Sequence, residues 1–282
     1  MRMEEVERIA HIEDRLARLR AATDALSRTQ RTMTELARLR RGLIQELHLE
    51  GWSFAQIAEA AGLSRGRIHQ VRHQGPAPEG AFFGGHPLTI ATPLKREEAK
   101  SRPVVAVEDV AASQRLGDLV RSLGFEVDFE QVPQGEPYDL NRDGLIVICG
   151  PRINADVGSM LATDPVLNFE RLSTGWALTD SSTAKTYISG QDDTPPRMAD
   201  MAYLGRLNRP DGNGTAIVFT GIHPQGTLGV VQMLINDLTD LYRQAGSGTF
   251  STLLEVEYDP ETHEPTAVEL ATPIYHHQSF SR

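Results

Sequence analysis

Apolar residues in the first fifty positions recur at intervals of three and four, and Glu and Arg fill most of the gaps between them. One series is Val6, Ile9, Ile12, Leu16 and Leu19; a second is Leu36, Leu39, Leu43 and Leu47. This spacing predicts helix almost throughout residues 3–50, with Asp24 and Ser27 at a break or a cap. The first series is longer than a small helical domain needs. It predicts either a helix for homodimerisation or packing within the domain.

The segment GWSFAQIAEAAGLSRGRIHQVRH, residues 51–73, predicts two short helices packed across a tight turn. Gly62 supplies the positive φ of such a turn, and Ser64 lies where a helix N-cap belongs. Small or apolar residues occupy the expected contact between the helices, namely Ile57, Ala58, Ala61, Leu63, Ile68 and Val71. The pattern is that of a helix-turn-helix. The alternative is a helical hairpin used for protein contacts.

The remaining positions around the second of these helices are polar, and they are the candidate DNA-binding residues: Ser64, Arg65, Arg67, His69, Gln70, Arg72 and His73. Arg can bond bidentately to guanine and Gln to adenine in the major groove, so this face predicts double-stranded DNA as a partner. Over residues 41–75, and most closely in GWSFAQIAEAAGLSRGRIHQV, the chain resembles region 4 of sigma-70-type RNA polymerase sigma factors. The resemblance implies DNA binding. It does not extend to promoter melting, because no other segment resembles the remaining sigma regions.

Residues 76–102 contain Pro, Gly and charge runs and predict a linker, with Phe82 and Phe83 anchoring it to one of two domains. From Pro103 onward the periodicity changes. Strands are expected over 103–109, 125–132 and 144–150, helices over 111–124, 154–164 and 225–244, hairpins over 175–190 and 202–221, and closing strands over 250–259 and 267–275. We therefore expect an α/β protein: an all-α helix-turn-helix domain with a long dimerisation helix (1–75), a linker (76–102), and a mixed-sheet three-layer α/β domain (103–282).

Two loops of the second domain, ICGPRIN (148–154) and FTGIHPQGTLG (219–229), each run from a buried strand through a glycine turn into a helix. Ligands of open α/β sheets bind outside the carboxyl ends of the strands, where helix N-termini attract anions. The candidate ligand-binding residues are Gly150, Arg152, Asn154, Gly221, His223, Gly226 and Thr227. The expected ligand is a small anion such as a nucleotide. The alternative is a pair of ordinary strand-to-helix turns. Asp200, Tyr203 and Arg206 either frame a base or sugar or form cross-strand pairs.

Three stretches, PVVAVED, LVRSLGFEV and GLIVICGPR, resemble the nucleotide-binding α/β folds of the TIR and SLOG kind. The resemblance implies nucleotide binding, and TIR enzymes depend on a catalytic Glu that has no assignable counterpart here. Residues 103–277 as a whole resemble an uncharacterised domain found behind helix-turn-helix segments in bacterial regulators. No catalytic residue is therefore assigned.

Composition bounds the function further. Among 282 residues there is one cysteine, Cys149, which excludes an intramolecular disulfide and a multi-cysteine zinc site and is expected to be a core residue. His263, His276 and His277 are expected to be solvated, with no metal or cofactor bound. No apolar run approaches the ~20 residues of a membrane span, and the N-terminus is too charged for a signal peptide, so a cytoplasmic protein is expected.

The charge is divided unevenly between the two parts of the chain. Residues 1–75 carry 13 Arg and 10 acidic residues, whereas residues 76–282 carry 15 basic and 28 acidic residues. DNA should therefore approach the N-terminal part. The favoured hypothesis is a transcription regulator that is a homodimer or higher homo-oligomer, binds DNA, and senses a small anionic ligand or assembles through its α/β domain. The alternative is a nucleotide- or NAD-processing effector enzyme with a regulatory helix-turn-helix.

Overall fold

The computed structural model describes residues 3–74, 77–84, 87–97 and 102–277. The chain divides into two compact units, Met1–Ala81 and Phe82–Arg282. The described part of the first unit is helical, and the second combines helices with a large mixed sheet, so the expected α/β class is confirmed. Within the described ranges, no helix has both the length and the apolar composition needed to cross a membrane.

The first unit contains four α-helices within its described residues: α1 (Met3–Ala10), α2 (Arg15–Leu49), α3 (Phe54–Ala60) and α4 (Arg65–Gln74). The break predicted at Asp24 and Ser27 is wrong, since both residues lie inside α2. The chain breaks before α2 instead, where the Asp14 carboxylate accepts the Leu16 backbone N–H at 3.0 Å and caps the helix. A single Asp or Ser costs a helix less than about 1 kcal/mol, which the surrounding Leu, Ala and Arg outweigh.

The second unit contains twelve strands and three α-helices in its described residues. The strands are β1 (Leu88–Arg96), β2 (Pro103–Val104), β3 (Val127–Pro133), β4 (Leu145–Ile148), β5 (Leu167–Leu172), β6 (Gly175–Asp180), β7 (Lys185–Ile188), β8 (Ala199–Asn208), β9 (Thr215–Gly221), β10 (Phe250–Tyr258), β11 (Pro265–Leu270) and β12 (Tyr275–His276). The helices are α5 (Val107–Ser122), α6 (Ala155–Leu161) and α7 (Pro224–Ala245). Short 3₁₀ helices occupy Pro78–Phe83 and Gly190–Asp192.

The large sheet has a parallel half and an antiparallel half. Strands β3, β1, β4 and β9 lie side by side and run parallel, with Ile90 opposite both Phe129 and Ile146, and Val147 opposite Val218. Strands β8, β10 and β11 continue the sheet in alternating directions. The chain leaves β1 for β3 on one side and later returns to β4 on the other. The carboxyl ends of β1 and β4 therefore lie at a topological switch point, where open α/β sheets have their crevice.

Both faces of the sheet are covered, which gives three layers. One face packs against α5 and α7, through residues such as Leu116, Leu204 and Phe219. The other packs against α6 and the antiparallel sheet β5–β6–β7, through residues such as Val147, Met160 and Leu178. The continuous apolar run of β4 agrees with this arrangement, because a parallel strand is buried on both faces.

Three expectations about this unit need correction. The predicted linker 76–102 contains β1, a central strand of the sheet, and Phe82 and Phe83 lie in the core beside α5, so they do anchor the segment. The strand predicted over 103–109 ends at Val104, and α5 begins at Val107, because the acidic side chains of Glu108 and Asp109 suit a helix N-terminus. Strand β5 was not predicted. The hairpins, the helix at 224–245 and the closing strands are confirmed.

Candidate functional site

The turn between α3 and α4 is fixed by local hydrogen bonds. Ser53 and Gln56 form a capping box at the start of α3, each side chain bonding the other residue's backbone N–H. Gly62 adopts a φ of +64° in the turn, a conformation that favours glycine. The Ser64 hydroxyl accepts the Arg67 backbone N–H at 3.1 Å and caps α4. Ser64 thus has a structural role at the position where we expected a cap.

The inner sides of α3 and α4 are buried against α2. Ile57, Ala58, Ile68 and Val71 are each at most 3% exposed and pack with Ile44 of α2, while Leu63 is half-buried at the edge of this cluster. Ala61, which was expected in the contact, is exposed. The small Ala58 side chain lets the two helices approach closely. The two helices therefore present one fixed face of α4 to solvent.

Six of the seven candidate DNA-binding residues are exposed: Ser64 at the cap of α4, and Arg65, Arg67, His69, Gln70 and His73 on the helix itself. The Arg67 guanidinium donates to Gln70 Oε1 at 2.5 Å, so these two side chains are held side by side. Arg72 differs from them, because it is half-buried and its guanidinium stacks 3.8 Å above the Phe54 ring. Its first role is to join α4 to α3.

The second candidate site is a cleft of about 460 Å³, part of it open to solvent, at the carboxyl ends of β1, β4 and β9. It therefore lies at the switch point of the sheet. Its walls come from the end of β1, the loop 150–153 after β4 and the loop 220–224 after β9. Phe169 and Trp176, half-buried on the small sheet β5–β7, complete the lining. Both predicted ligand loops meet here, as the sequence suggested.

Charged groups of both signs line this cleft. Asp109, in the first turn of α5, is 3% exposed, and burial raises its pKa to about 6 although Lys95 lies 3.9 Å away. Arg152 is exposed and, within the described residues, makes no hydrogen bond or ion pair. The charge of Arg152 also lowers the pKa of Asp109, so two cations share one buried carboxyl at this cleft. Two cations beside a single carboxyl leave a positive excess that is suited to an anion.

The N-terminus of α7 is already occupied by an anion of the protein itself. Asp200, on β8, is fully buried, and its Oδ2 accepts the backbone N–H groups of His223 and Gly226, each at 2.9 Å. Burial raises the pKa of this carboxyl, and hydrogen bonds from Ser189, His223 and Gly226 act in the opposite direction. The positive end of the helix is therefore satisfied internally. It is not the anion site that the sequence suggested.

The structure separates the predicted ligand residues into two groups. Gly150, Arg152, Gly221, His223 and Thr227 line the cleft. Thr227 Oγ1 accepts the Gly221 N–H at 3.0 Å, and the His223 ring lies 3.1 Å from Asp192.

Asn154 and Gly226 do not line the cleft, so their assignment as ligand residues is corrected. Asn154 is buried; its oxygen caps α6 and its amide group donates to Pro133 and Glu136. Gly226 packs directly on Asp200 and Gly221, leaving no room for a side chain. Both residues shape the loops instead.

Five lining residues lie outside the two loops that the sequence predicted: Pro93, Lys95, Asp109, Phe169 and Trp176. Lys95 lay in the predicted linker and Asp109 at the end of a predicted strand. The signal available for Lys95 was the apolar run LTIATPLK, residues 88–95, which predicts a strand with a cation at its end. For Phe169 and Trp176 the sequence carried no signal, because the small sheet reaches the cleft only through tertiary packing.

Several other candidate chemistries lose support. Cys149 is 1% exposed and burial raises its pKa to about 12, which confirms it as a core residue.

Asp200 and Arg206 lie on the face of the sheet covered by α7, whereas Tyr203 lies on the opposite face and bonds Asp164, so the three frame no common ligand. His276 is exposed, as expected, but His277 is half-buried and bonds Ser251 at 2.9 Å. No group of metal-binding residues occurs in the described part of the chain.

Comparison of the chain with protein-family models, with curated proteins and with solved structures finds no match in any of the three.

Proposed function

We propose that this protein is a DNA-binding transcription regulator in which α4 enters the major groove. The observation that carries the proposal is the division of α4 into two sides. Ile68 and Val71 are buried against α2 and α3, while Arg67 and Gln70 lie adjacent and exposed on the other side. Arg and Gln are the side chains that read guanine and adenine edges, and a short capped helix fits the groove. The resemblance of residues 51–71 to a sigma-factor helix-turn-helix agrees with this assignment.

The distribution of charge supports the same orientation. Residues 1–75 have 13 Arg and 10 acidic residues, whereas the rest of the chain has 28 acidic and 15 basic residues. A phosphate backbone is attracted by the helical unit and repelled by the α/β unit. The excess of three positive charges is small for a single DNA-binding module. Two copies acting together double it and place two α4 helices on two half-sites.

The proposed dimer forms through α2 of a second copy. Leu19, Leu26 and Met33 recur every seven residues along this 35-residue helix and are 57–65% exposed. A seven-residue apolar repeat is matched by another long helix in a left-handed coiled coil. An identical α2 presents the same repeat, so the second copy is the occupant that fits this stripe.

The α/β unit is proposed to bind a small anionic ligand in the cleft that contains Lys95 and Arg152. Such a ligand changes DNA affinity only if it binds the DNA-competent state and the other state with different affinities. The size of that difference sets the size of the change. The regulator mechanism is therefore a population shift between two states of the protein.

Replacing Arg67 by alanine is expected to weaken specific DNA binding about tenfold, because one bidentate base contact is worth ~1–3 kcal/mol. The measurement is fluorescence anisotropy of the full chain on a duplex enriched from a random pool by the wild-type protein. Arg20→Ala is the matched control, since it removes the same charge from an exposed position on α2. Enrichment of no duplex at low salt, or equal loss in both variants, would refute base reading by α4.

Replacing Leu26 by glutamate is expected to convert the dimer into a monomer, because it places a charge in the middle of the apolar stripe. Sedimentation equilibrium of the full chain checks this, with a mass near twice 31.1 kDa for the wild type and one copy for the variant. Arg20→Glu, which adds a glutamate outside the stripe, should remain dimeric. If the wild-type protein is monomeric at micromolar concentration, the dimer proposal is wrong. The proposal of DNA binding is tested separately by the Arg67→Ala variant.

A further inference from the structure

The cleft at the switch point has three chemically distinct parts, and together they define its ligand more closely than "a small anion". The first is aromatic. Phe169 on β5 and Trp176 on β6 are half-buried and line the cleft from the small sheet. Arg171 lies directly opposite Trp176 in the antiparallel pair, and Phe169 is two residues from Arg171, so both aromatic side chains lie on one face of that sheet. A flat ring is the group that stacks favourably on such a wall.

The second part is cationic. Lys95 is the last residue but one of β1 and Arg152 follows β4, so the two cations reach the cleft from neighbouring parallel strands. Both cations act on Asp109: Lys95 lies 3.9 Å from its carboxylate, and the charge of Arg152, like that of Lys95, lowers the pKa of Asp109. Neither cation is paired with a second carboxylate in the described residues. These cations belong to a unit with a large excess of acidic residues, so their concentration at one cleft is not a general property of its surface. A guanidinium and an ammonium group together suit a phosphate.

The third part is a buried acceptor. Asp109 is 3% exposed and lines the cleft, with Lys95 3.9 Å from its carboxylate. A carboxyl in this setting accepts hydrogen bonds from hydroxyl groups, as acidic residues do toward ribose in other open α/β sheets. A simple inorganic anion gains nothing from such a carboxylate and is repelled by it. The ligand therefore carries hydroxyl donors in addition to its anion.

We propose that the cleft binds a nucleotide, with the base against Trp176 and Phe169, the ribose hydroxyls at Asp109 and the phosphate at Arg152 and Lys95. This inference rests on the proposed ligand-binding role of the α/β unit and names its ligand class. Site residues on strand ends and on the covering sheet hold the three groups at fixed positions.

The experiment uses Trp176 itself as the reporter. The chain has two tryptophans, so Trp52→Phe in the full-length protein leaves Trp176 as the only one. Titration with AMP, GMP, CMP and UMP is expected to change Trp176 emission for at least one of them, and adenosine or inorganic phosphate alone should bind more weakly. Arg152→Ala should then weaken binding of the nucleotide about tenfold while leaving binding of its nucleoside unchanged.

Arg243→Ala, which removes an equal charge from an exposed position on α7, is the matched control and should behave as the parent protein. An unchanged Trp176 signal with all four nucleotides overturns the nucleotide assignment. Inorganic phosphate binding as tightly as the nucleotides also overturns it, yet leaves the more general anion-binding role in place. DNA binding by the helical unit is measured without these ligands, so it stands or fails separately.

Discussion

Replacing Gly226 by alanine is expected to lower the free energy of unfolding of the α/β unit by about 3 kcal/mol, at the upper end of the usual cost of overpacking. A Cβ atom at this position lies 2.5 Å from Asp200 Oδ2 and 2.9 Å from the Gly221 Cα. Neither neighbour can withdraw, because Asp200 is fully buried and Gly221 is backbone in the loop after β9. Gly221→Ala should be similarly destabilising, since its Cβ overlaps the carbonyl oxygen of His223.

The matched control is Gly150→Ala in the other loop of the cleft. Its Cβ meets the Thr220 hydroxyl at 3.2 Å, and that side chain can rotate away, so we expect a loss below about 1 kcal/mol. Urea unfolding of the full chain, followed by Trp176 emission in the Trp52→Phe background, reports on the α/β unit alone. Equal stabilities of Gly150→Ala and Gly226→Ala would contradict the close approach of Gly226 to Asp200.

The parts of the fold that the sequence predicted well are those whose contacts are local. The cap at Ser64, the turn at Gly62 and the buried positions Ile57 and Val71 all lie within about fifteen residues of one another. The strand–turn–helix loops after β4 and β9 were equally visible. In each of them an apolar run, a glycine and the start of a helix follow directly along the chain.

The failures have a different physical origin, because they depend on partners distant in the chain. Strand β1 contains Pro93 and ends in charged residues, so it resembled a linker, yet parallel pairing with β3 and β4 buries Leu88 and residues 90–93. Asp200 caps α7 from a strand more than twenty residues earlier in the sequence, and only the pairing of β8 with β9 brings it there. The glycines of the loop after β9 therefore suggested that a ligand approaches the backbone there. The group that approaches it is the carboxylate of Asp200.

The candidate cleft illustrates the same limit. The sequence identified Arg152 and His223 because each follows a glycine turn, but Lys95, Asp109 and Trp176 come from three other elements. Their convergence depends on sheet order, which places the crevice between β1 and β4. Short sequence motifs cannot reveal a cleft whose cationic, acidic and aromatic lining residues lie on separate strands and helices.

Replacing Asp200 by alanine is expected to destabilise the α/β unit by about 2–4 kcal/mol, because the buried N–H groups of His223 and Gly226 lose their acceptor at ~1–3 kcal/mol each. Relief of the buried charge, whose cost is visible in the raised pKa of Asp200, offsets part of this loss. Asp192→Ala is the matched control, since it removes the other carboxylate that contacts His223, in a partly exposed pair worth less than about 1 kcal/mol.

A double-mutant cycle separates the role of Asp200 as an acceptor from mere burial. With Asp200→Ala in place, the nearest atom to a Cβ at position 226 is gone, so Gly226→Ala should cost at least about 1 kcal/mol less than it does alone. Urea unfolding of the four proteins, followed by Trp176 emission, measures this coupling energy. Additive losses would mean that Asp200 and Gly226 do not interact at the N-terminus of α7. The Asp200 carboxylate would then not explain why external anions are excluded from that helix end.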